Sequence, residues 1–249
     1  MSKWAFFVSL CFALLTLVSA PNLAVENLRV TAFSYVELGD KFARLGYFDQ
    51  AIGAYTIALQ FAPDLALAFL NRGNAHQARG DFNEAIDDYS KTIEIVPRCA
   101  EAYSNRAYVL VLQNKVERAF SDWASALDIN PRFTTALYDR GNFRLNNGDL
   151  DGALADFDQA LQTDPRHAMA YNNRGIARRV KGDIEGAIAD FNQAIRIDRQ
   201  LPEAYANRGL VRLRQGKKAE AEGDFARSIA LKPSLKSFIE RRVNDINLR

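Results

Sequence analysis

Apolar, small and polar residues return along most of this chain at a fixed interval of 34 positions. The stretch AYNNRGIAR at 170–178 comes back as AYANRGLVR at 204–212. Looser copies stand at 136–144 (ALYDRGNFR), 102–110 (AYSNRAYVL) and 68–76 (AFLNRGNAH). Let position 1 be Ala32, Ala66, Ala100, Thr134, Ala168 and Pro202. Position 4 is then Tyr35, Phe69, Tyr103, Leu137, Tyr171 and Tyr205, and position 8 is Gly39, Gly73, Ala107, Gly141, Gly175 and Gly209. Position 20 is alanine throughout, and position 24 is aromatic throughout: Tyr55, Tyr89, Trp123, Phe157, Phe191 and Phe225. At about 100° per residue, positions 4, 8 and 11 fall on one stripe of a helix.

Each period therefore predicts two helices. Gly or Ala at positions 8 and 20 lets them approach closely, and the aromatic at position 24 fills the space beside them; a larger side chain there costs roughly 1–3 kcal/mol in overpacking. Gly-Asp at positions 15 and 16 (Gly80-Asp81, Gly148-Asp149, Gly182-Asp183) closes the first helix and turns the chain. Proline at position 32 in five of six periods stops the second (Pro63, Pro97, Pro131, Pro165 and Pro233, with Arg199 the exception). One such pair cannot bury its apolar face alone, so neighbours must stack. In the sixth period Lys218 and Glu222 replace the apolar residues of the others, and Ile239, Val243 and Ile246 then take positions 4, 8 and 11 of an unfinished unit. That reads as a capping helix over 236–249 with a polar outer face.

The period and these residues closely resemble the tetratricopeptide repeat, in its Asn-Arg-Gly variant, without a gap from 32 to 235. The resemblance implies an all-α, right-handed superhelix (α-solenoid) of six helix-turn-helix repeats, 32–65, 66–99, 100–133, 134–167, 168–201 and 202–235, plus the C-terminal capping helix. It also implies a protein-binding role, as an adaptor or scaffold without catalysis.

Position 6 points roughly 200° from position 4, on the face shared with positions 2, 9 and 13. That face cannot meet the second helix of its own repeat, and in a two-layer solenoid it lines the concave surface. It carries Asn71, Asn105, Asp139, Asn173 and Asn207, one short polar group per repeat, with Glu37 in the first. An amide both donates and accepts, which matches a peptide group of any sequence. In the family, the superhelix of the O-linked N-acetylglucosamine transferase has a similar inner ladder of asparagines that holds peptide backbone. Two readings stay open here: a backbone-binding ladder, or solvated surface residues of a common repeat variant. Asp139 departs from the pattern because it accepts but cannot donate. The rest of the groove includes Asn74, Tyr108, Tyr138, Asn142 and Arg179, with Tyr108 and Tyr138 as candidate anchors for an extended peptide or a partner's helix. It lacks the lysines of the family's clamp for a C-terminal carboxylate.

Arginine at position 7 reads differently. Arg72, Arg106, Arg140, Arg174 and Arg208 recur with Asp88, Asp122, Asp156, Asp190 and Asp224 at position 23. The first repeat lacks both, with Leu38 and Ala54 instead. Joint absence predicts ion pairs within each repeat, structural in role.

Composition excludes more than it adds. The chain has 249 residues with 48% hydrophobic, 25% charged and a net charge of +2, the make-up of a globular protein with no general demand for nucleic acid. Two histidines and two cysteines leave little for metal or thiol chemistry. His76 falls on the buried stripe, while His167 and Cys99 share position 34, an inter-repeat packing site. No phosphate-cradling glycine loop, metal-ligand spacing or carboxylate pair stands out, so no cofactor is expected. Basic residues gather late (Arg144, Arg178, Arg179, Lys181, Arg212, Arg214, Lys217, Lys218, Arg241, Arg242), either as a solvated edge or as an edge for an acidic partner or anionic polymer.

The start of the chain is of another kind. MSKWAFFVSLCFALLTLVSA has an early cation, an apolar run from Trp4 to Val18 and a small-residue exit, the layout of a secretory signal. Pro21 is a poor residue after a cleavage site, so an uncleaved anchor over residues 4–20 stays open, although a bilayer span needs roughly 20 apolar residues. Either places the remainder outside the cytoplasm, in a periplasm or other extracytoplasmic compartment. Residues 21–31 carry no clear signal and read as a tether. The expected state is a monomer or a weak self-associate. The expected function is an exported adaptor that binds another protein in its groove, with a self-associating structural solenoid as the alternative.

Overall fold

Thirteen α-helices and no strand occur among residues 25–247, which are those described by the computed structural model. The first, α1, covers 25–44 of these residues. It pairs with α2 (Phe48–Phe61), and the next pairs are α3 (Ala66–Arg79) with α4 (Phe82–Ile95) and α5 (Ala100–Leu112) with α6 (Val116–Ile129). Then come α7 (Thr134–Asn146) with α8 (Leu150–Thr163), α9 (Ala168–Val180) with α10 (Ile184–Ile197), and α11 (Pro202–Arg214) with α12 (Lys218–Leu231). A short 3-10 turn, Pro233–Leu235, leads into α13 (Lys236–Asn247). The result is an all-α fold of six helix-turn-helix pairs and a C-terminal helix.

The turn inside each pair has a backbone cause. Position 15 is left-handed in every repeat: Gly46, Gly80, Gly148, Gly182 and Gly216 have φ between 76° and 93°. The third repeat has Asn114 there at φ 58°. Asparagine is among the residues that tolerate this region, so the turn survives the loss of glycine. Asp149 and Asp183 follow at the N-caps of α8 and α10 and accept from the Gly152 and Gly186 amides at 3.0 and 2.9 Å. Those bonds satisfy donors that a helix start leaves open.

The chain divides into two compact units, one ending at Asp122 and the other starting at Trp123. In the first, Ala32, Val36, Ala51, Tyr55 and Ala58 form one core and Ala85, Tyr89, Ala102 and Val109 another. In the second, Phe157 packs with Ala153, Leu161 and Ala170, and Phe191 with Ala187 and Val211. The glycines at position 8 are required by this packing. A Cβ on Gly73 would sit 2.8 Å from Tyr89, and one on Gly175 would sit 2.7 Å from Phe191. Each hairpin within a unit then packs on the next through α2 with α3, α4 with α5, α8 with α9, and α10 with α11. At the C-terminal end α13 docks on α11 and buries Ile239.

One expectation is corrected. Residues 25–31 do not form a tether; they are helical and continuous with the rest of α1. Val25, Leu28 and Val30 gave no helix signal because they stand outside the 34-residue register. The signal or anchor expected over residues 1–20 lies outside the described residues, among which no helix is long and apolar enough to cross a membrane.

Candidate functional site

The position-6 amides sit on the first helix of each hairpin, and each donates to the first helix of the hairpin before it. Asn71 Nδ2 donates to Asp40 Oδ1 at 2.9 Å, and Asn105 Nδ2 donates to Asn74 Oδ1 at 2.9 Å. In the second unit Asn173 Nδ2 reaches Asn142 Oδ1 at 3.1 Å and the Tyr138 hydroxyl oxygen at 3.2 Å. The acceptor in these rungs is the polar residue at position 9 of the preceding repeat. Where position 9 is Ile176, Asn207 turns instead to Asn172 Oδ1 at 3.0 Å. The same acceptors also take the aromatic hydroxyls of their own hairpins: Tyr55 donates to Asp40 Oδ1 at 2.7 Å, and the Tyr89 hydroxyl lies 2.9 Å from Asn74 Oδ1.

These bonds change what the ladder offers. An amide has two N–H groups and a carbonyl. Asn71, Asn105 and Asn207 each use one N–H on the neighbouring hairpin, which among the described residues leaves the other N–H and the carbonyl. Asn173 keeps less: its Nδ2 has two acceptors, its Oδ1 accepts from Asn172 Nδ2 at 3.0 Å, and it is 8% exposed. Asn173 is thus a clamp between hairpins as well as a lining residue of two cavities on this face. Tyr138 is tied down in a similar way. It is half-buried, stacks on His167 at 4.7 Å and packs against Phe157 at 6.2 Å, so it is not a free anchor. Tyr108 is 40% exposed. Asp139 is half-buried, and loss of solvent pushes its carboxyl up to about 6.

The position-7 arginines are each held by a fork. Arg72, Arg106, Arg140, Arg174 and Arg208 place Nε and Nη2 on the two oxygens of Asp88, Asp122, Asp156, Asp190 and Asp224, at 2.6–3.0 Å. The carboxylates are buried. Sequence reasoning missed two additions. Nη1 of Arg72, Arg106, Arg174 and Arg208 reaches back to position 25 of the preceding repeat, to Thr56, Ser90, Asp158 and Asn192. A second arginine at position 11 shares the carboxylate: Arg144 on Asp156 at 2.7 Å, Arg178 on Asp190 at 2.9 Å and Arg212 on Asp224 at 2.8 Å. Arg144, Arg178 and Arg212 are thus taken out of the basic edge expected from sequence. The guanidinium groups of Arg72, Arg106, Arg174 and Arg208 also lie over the position-4 rings of Phe69, Tyr103, Tyr171 and Tyr205, at 5.2–5.7 Å.

Beside the rungs, apolar side chains are exposed along with Glu101, Thr135 and Asn146. Between residues 66 and 201 the exposed large hydrophobic residues are Leu67, Ile95, Val96, Tyr108, Leu112, Met169 and Val180. All but Ile95 and Val96 stand at positions 2, 9 or 13 of first helices, the face that carries the amides. Cavities adjoin the rungs. One of about 290 Å³ lies against Asn71 with Asp40, Arg44 and Phe48, and one of about 530 Å³ lies against Asn142 and Asn173 with Leu145, Ile176 and Val180. Among the described residues no group of three or more His, Cys, Asp or Glu is placed to hold a metal. His76 is buried and within 3.2 Å of Asp81, His167 accepts from the Ala170 amide at the start of α9, and Cys99 is a half-buried free thiol.

Sequence reasoning also missed Asp40 and Asn172 as acceptors. A polar residue at position 9, placed 31 residues before an asparagine, was the available signal for Asp40. Phe238, which lines two cavities from α13, gave none, and Arg242 was read only as part of the late basic edge.

Comparison with known proteins agrees with this geometry. Tetratricopeptide-repeat family models match residues 66–99 and 138–202. No curated protein is significantly similar in sequence. Among solved structures, YrrB, described as a TPR protein with an unusual peptide-binding site, is 25% identical, with a TM-score of 0.54 over 74% of this chain and 94% of its own. PilF of Pseudomonas aeruginosa is 16% identical with a TM-score of 0.77, covering 88% of this chain and 99% of its own. PilW, a widely conserved type IV pilus biogenesis factor, is 18% identical with a TM-score of 0.66, covering 86% and 97%. The last two share the fold. Two stretches, 66–99 and 138–202, thus match tetratricopeptide-repeat models, and the fold is the one found in these repeat structures.

Proposed function

We propose that this protein is a non-catalytic interaction scaffold whose first-helix face binds an extended peptide or helix of a partner protein. The observation that carries this reading is that in each unit exposed apolar side chains (Leu67, Tyr108 and Leu112 in the first, Met169 and Val180 in the second) share the first-helix face with part-used amides. Apolar pockets bind side chains, and fixed amides bind backbone at any sequence. Because each amide is already pinned to the neighbouring hairpin, little rotamer freedom is lost on binding, which favours affinity. The peptide-binding site of YrrB supports the same reading for this chain. The opening twenty residues support export, with the repeats working outside the cytoplasm.

The test is selection of random displayed peptides on the full-length chain, followed by affinity measurements on Leu67→Asp, Tyr108→Ala and Met169→Asp. Weakened binding in these variants, with unchanged melting, is the expected result. Peptides that bind all three like the parent would place the site elsewhere.

A second reading has its own observation. Val25, Leu28 and Phe33 leave α1 with an exposed apolar flank, which suits self-association. Sedimentation across a concentration range separates the two readings, since an adaptor stays monomeric without its partner.

A further inference from the structure

Every arginine at positions 7 and 11 of the hairpins is matched to a carboxylate, whereas one group of arginines that is not lies together. At the C-terminal end of the second unit, Arg179 of α9, Arg214 of α11 and Arg242 of α13 line one cavity of about 170 Å³. Arg179 is half-buried, and among the described residues neither it nor Arg214 meets an acidic side chain. Arg242 lies over the Phe238 ring at 5.6 Å, and its nearest carboxylate, Asp245, is 3.9 Å away with 55% of its side chain exposed. The cavity therefore holds three guanidinium groups against one rim carboxylate. Loss of solvent, then the charges of Arg214 and Arg242, push the Arg179 pKa down. Two further cations beside a half-buried guanidinium are unfavourable for it unless an anion joins them.

The wall beside these cations is apolar. Leu210, Phe238 and Ile246 face the same cavity. Across Asn207 and Phe238, which line both, a second cavity of about 290 Å³ is formed by Met169, Ile176, Ala206 and Leu235, with Asn172, Asn173 and Glu203, the last paired with Lys232 at 2.9 Å, completing its wall. A cation-rich recess and an apolar recess thus lie side by side, with an amide rung between them.

Resting on the peptide-binding reading, we propose that this end of the groove selects a partner segment with an internal acidic side chain held by Arg179, Arg214 and Arg242 and a large apolar side chain seated beside it against Met169, Ile176 and Leu235. Guanidinium forks match a carboxylate in two-point geometry. The exposed Asp245 on the rim favours a singly charged carboxylate over a doubly charged phosphate. The capping helix α13 supplies Arg242, Phe238 and Ile246, so it acts as part of the recognition surface as well as a lid on the last hairpin.

The experiment uses the full chain and an array of acetylated, amidated peptides that carry one Leu or Met and one Glu at every order and short spacing, beside the same array with Gln for Glu. Expected are roughly tenfold or tighter binding of the best Glu peptides over their Gln partners, and loss of this preference in Arg179→Gln and Arg214→Gln. Arg214 is exposed, so that variant keeps the test readable if Arg179→Gln fails to fold. Equal binding of Glu and Gln peptides overturns the acid selection while the groove reading stands. Tighter binding of phosphoserine peptides, or binding only with a free C-terminal carboxylate, overturns the internal carboxylate. Absence of binding to both arrays, when displayed peptides still bind at Leu67 and Tyr108, removes this end of the groove alone; absence of all peptide binding removes the groove reading too.

Discussion

Asn105 donates its side-chain amide to Asn74 Oδ1 at 2.9 Å, which joins the first helices of two consecutive hairpins. Asn74 Oδ1 also lies 2.9 Å from the Tyr89 hydroxyl, so the rung is tied to the core of the earlier hairpin. The amides read from sequence as groove residues are therefore also fasteners between repeats, and the two roles separate by how many of their groups are already bonded.

Asn105→Ala removes one hydrogen bond and leaves Asn74 with its tyrosine, so a loss of about 1 kcal/mol is expected. Asn173→Ala strips partners from Tyr138, Asn142 and Asn172 at once, and about 2–3 kcal/mol is expected. Urea unfolding of the two variants checks the order. Equal losses would mean that the extra bonds of Asn173 contribute nothing.

Asp190 holds both Arg174 and Arg178 from a buried position, with 4% of its side chain exposed. Asp190→Ala leaves two guanidinium groups without that acceptor, and a loss of about 3–5 kcal/mol is expected. Asp158, the outer partner of Arg174, has 49% of its side chain exposed. Its replacement by alanine should cost under about 1 kcal/mol. Thermal melts of both variants at one pH make the comparison.

Glycine is required for two different reasons, and alanine tells them apart. At Gly175 a Cβ meets the Phe191 ring, so Gly175→Ala should cost roughly 1–3 kcal/mol, part of which returns in the double variant with Phe191→Leu. At Gly182 nothing lies within 4 Å, but φ is +89°, so Gly182→Ala costs roughly 1 kcal/mol whatever its neighbours. No second-site reduction at Phe191 should rescue it. Double-mutant cycles from chemical denaturation read both effects.

Asp139 gives a pH-dependent prediction. Its folded pKa, about 6, stands above the unfolded value near 4, so burial disfavours the ionised form. Below about pH 4 the carboxyl is neutral in both states and nothing is lost. Between about pH 4 and 6 the unfolded state ionises first and stability falls, by about 2–3 kcal/mol in full. Asp139→Asn should match the parent at pH 4 and exceed it at pH 7, as measured by urea midpoints across that range. A gain of the same size at both pH values would contradict the assignment.

The periodic features could be read without coordinates because a short-range cause repeats them. Glycine or asparagine at position 15 is set by a left-handed backbone, small residues at positions 8 and 20 by helix contact, and proline at 32 by the missing amide hydrogen. The joint absence of Leu38 and Ala54 from the Arg–Asp pattern pointed to a partner 16 residues away, which one hairpin brings together by itself. Cases such as Val25 to Val30 gave no such signal, since they have no counterpart in another repeat to compare.

What the sequence determined alone is thus the hairpin: its two helices, its turn and the identity of its aromatic plug, all fixed by contacts within 34 residues. Only the stacked structure decided how the surface groups divide their bonds. How many bonds each amide has left, whether the Tyr138 hydroxyl is bonded, and which arginines lack an acid depend on the next hairpin or on α13, which carries Arg242 to Arg179. The rung partners and Arg242 lie 31 or more residues away, and their contacts depend on packing angles that no local pattern encodes.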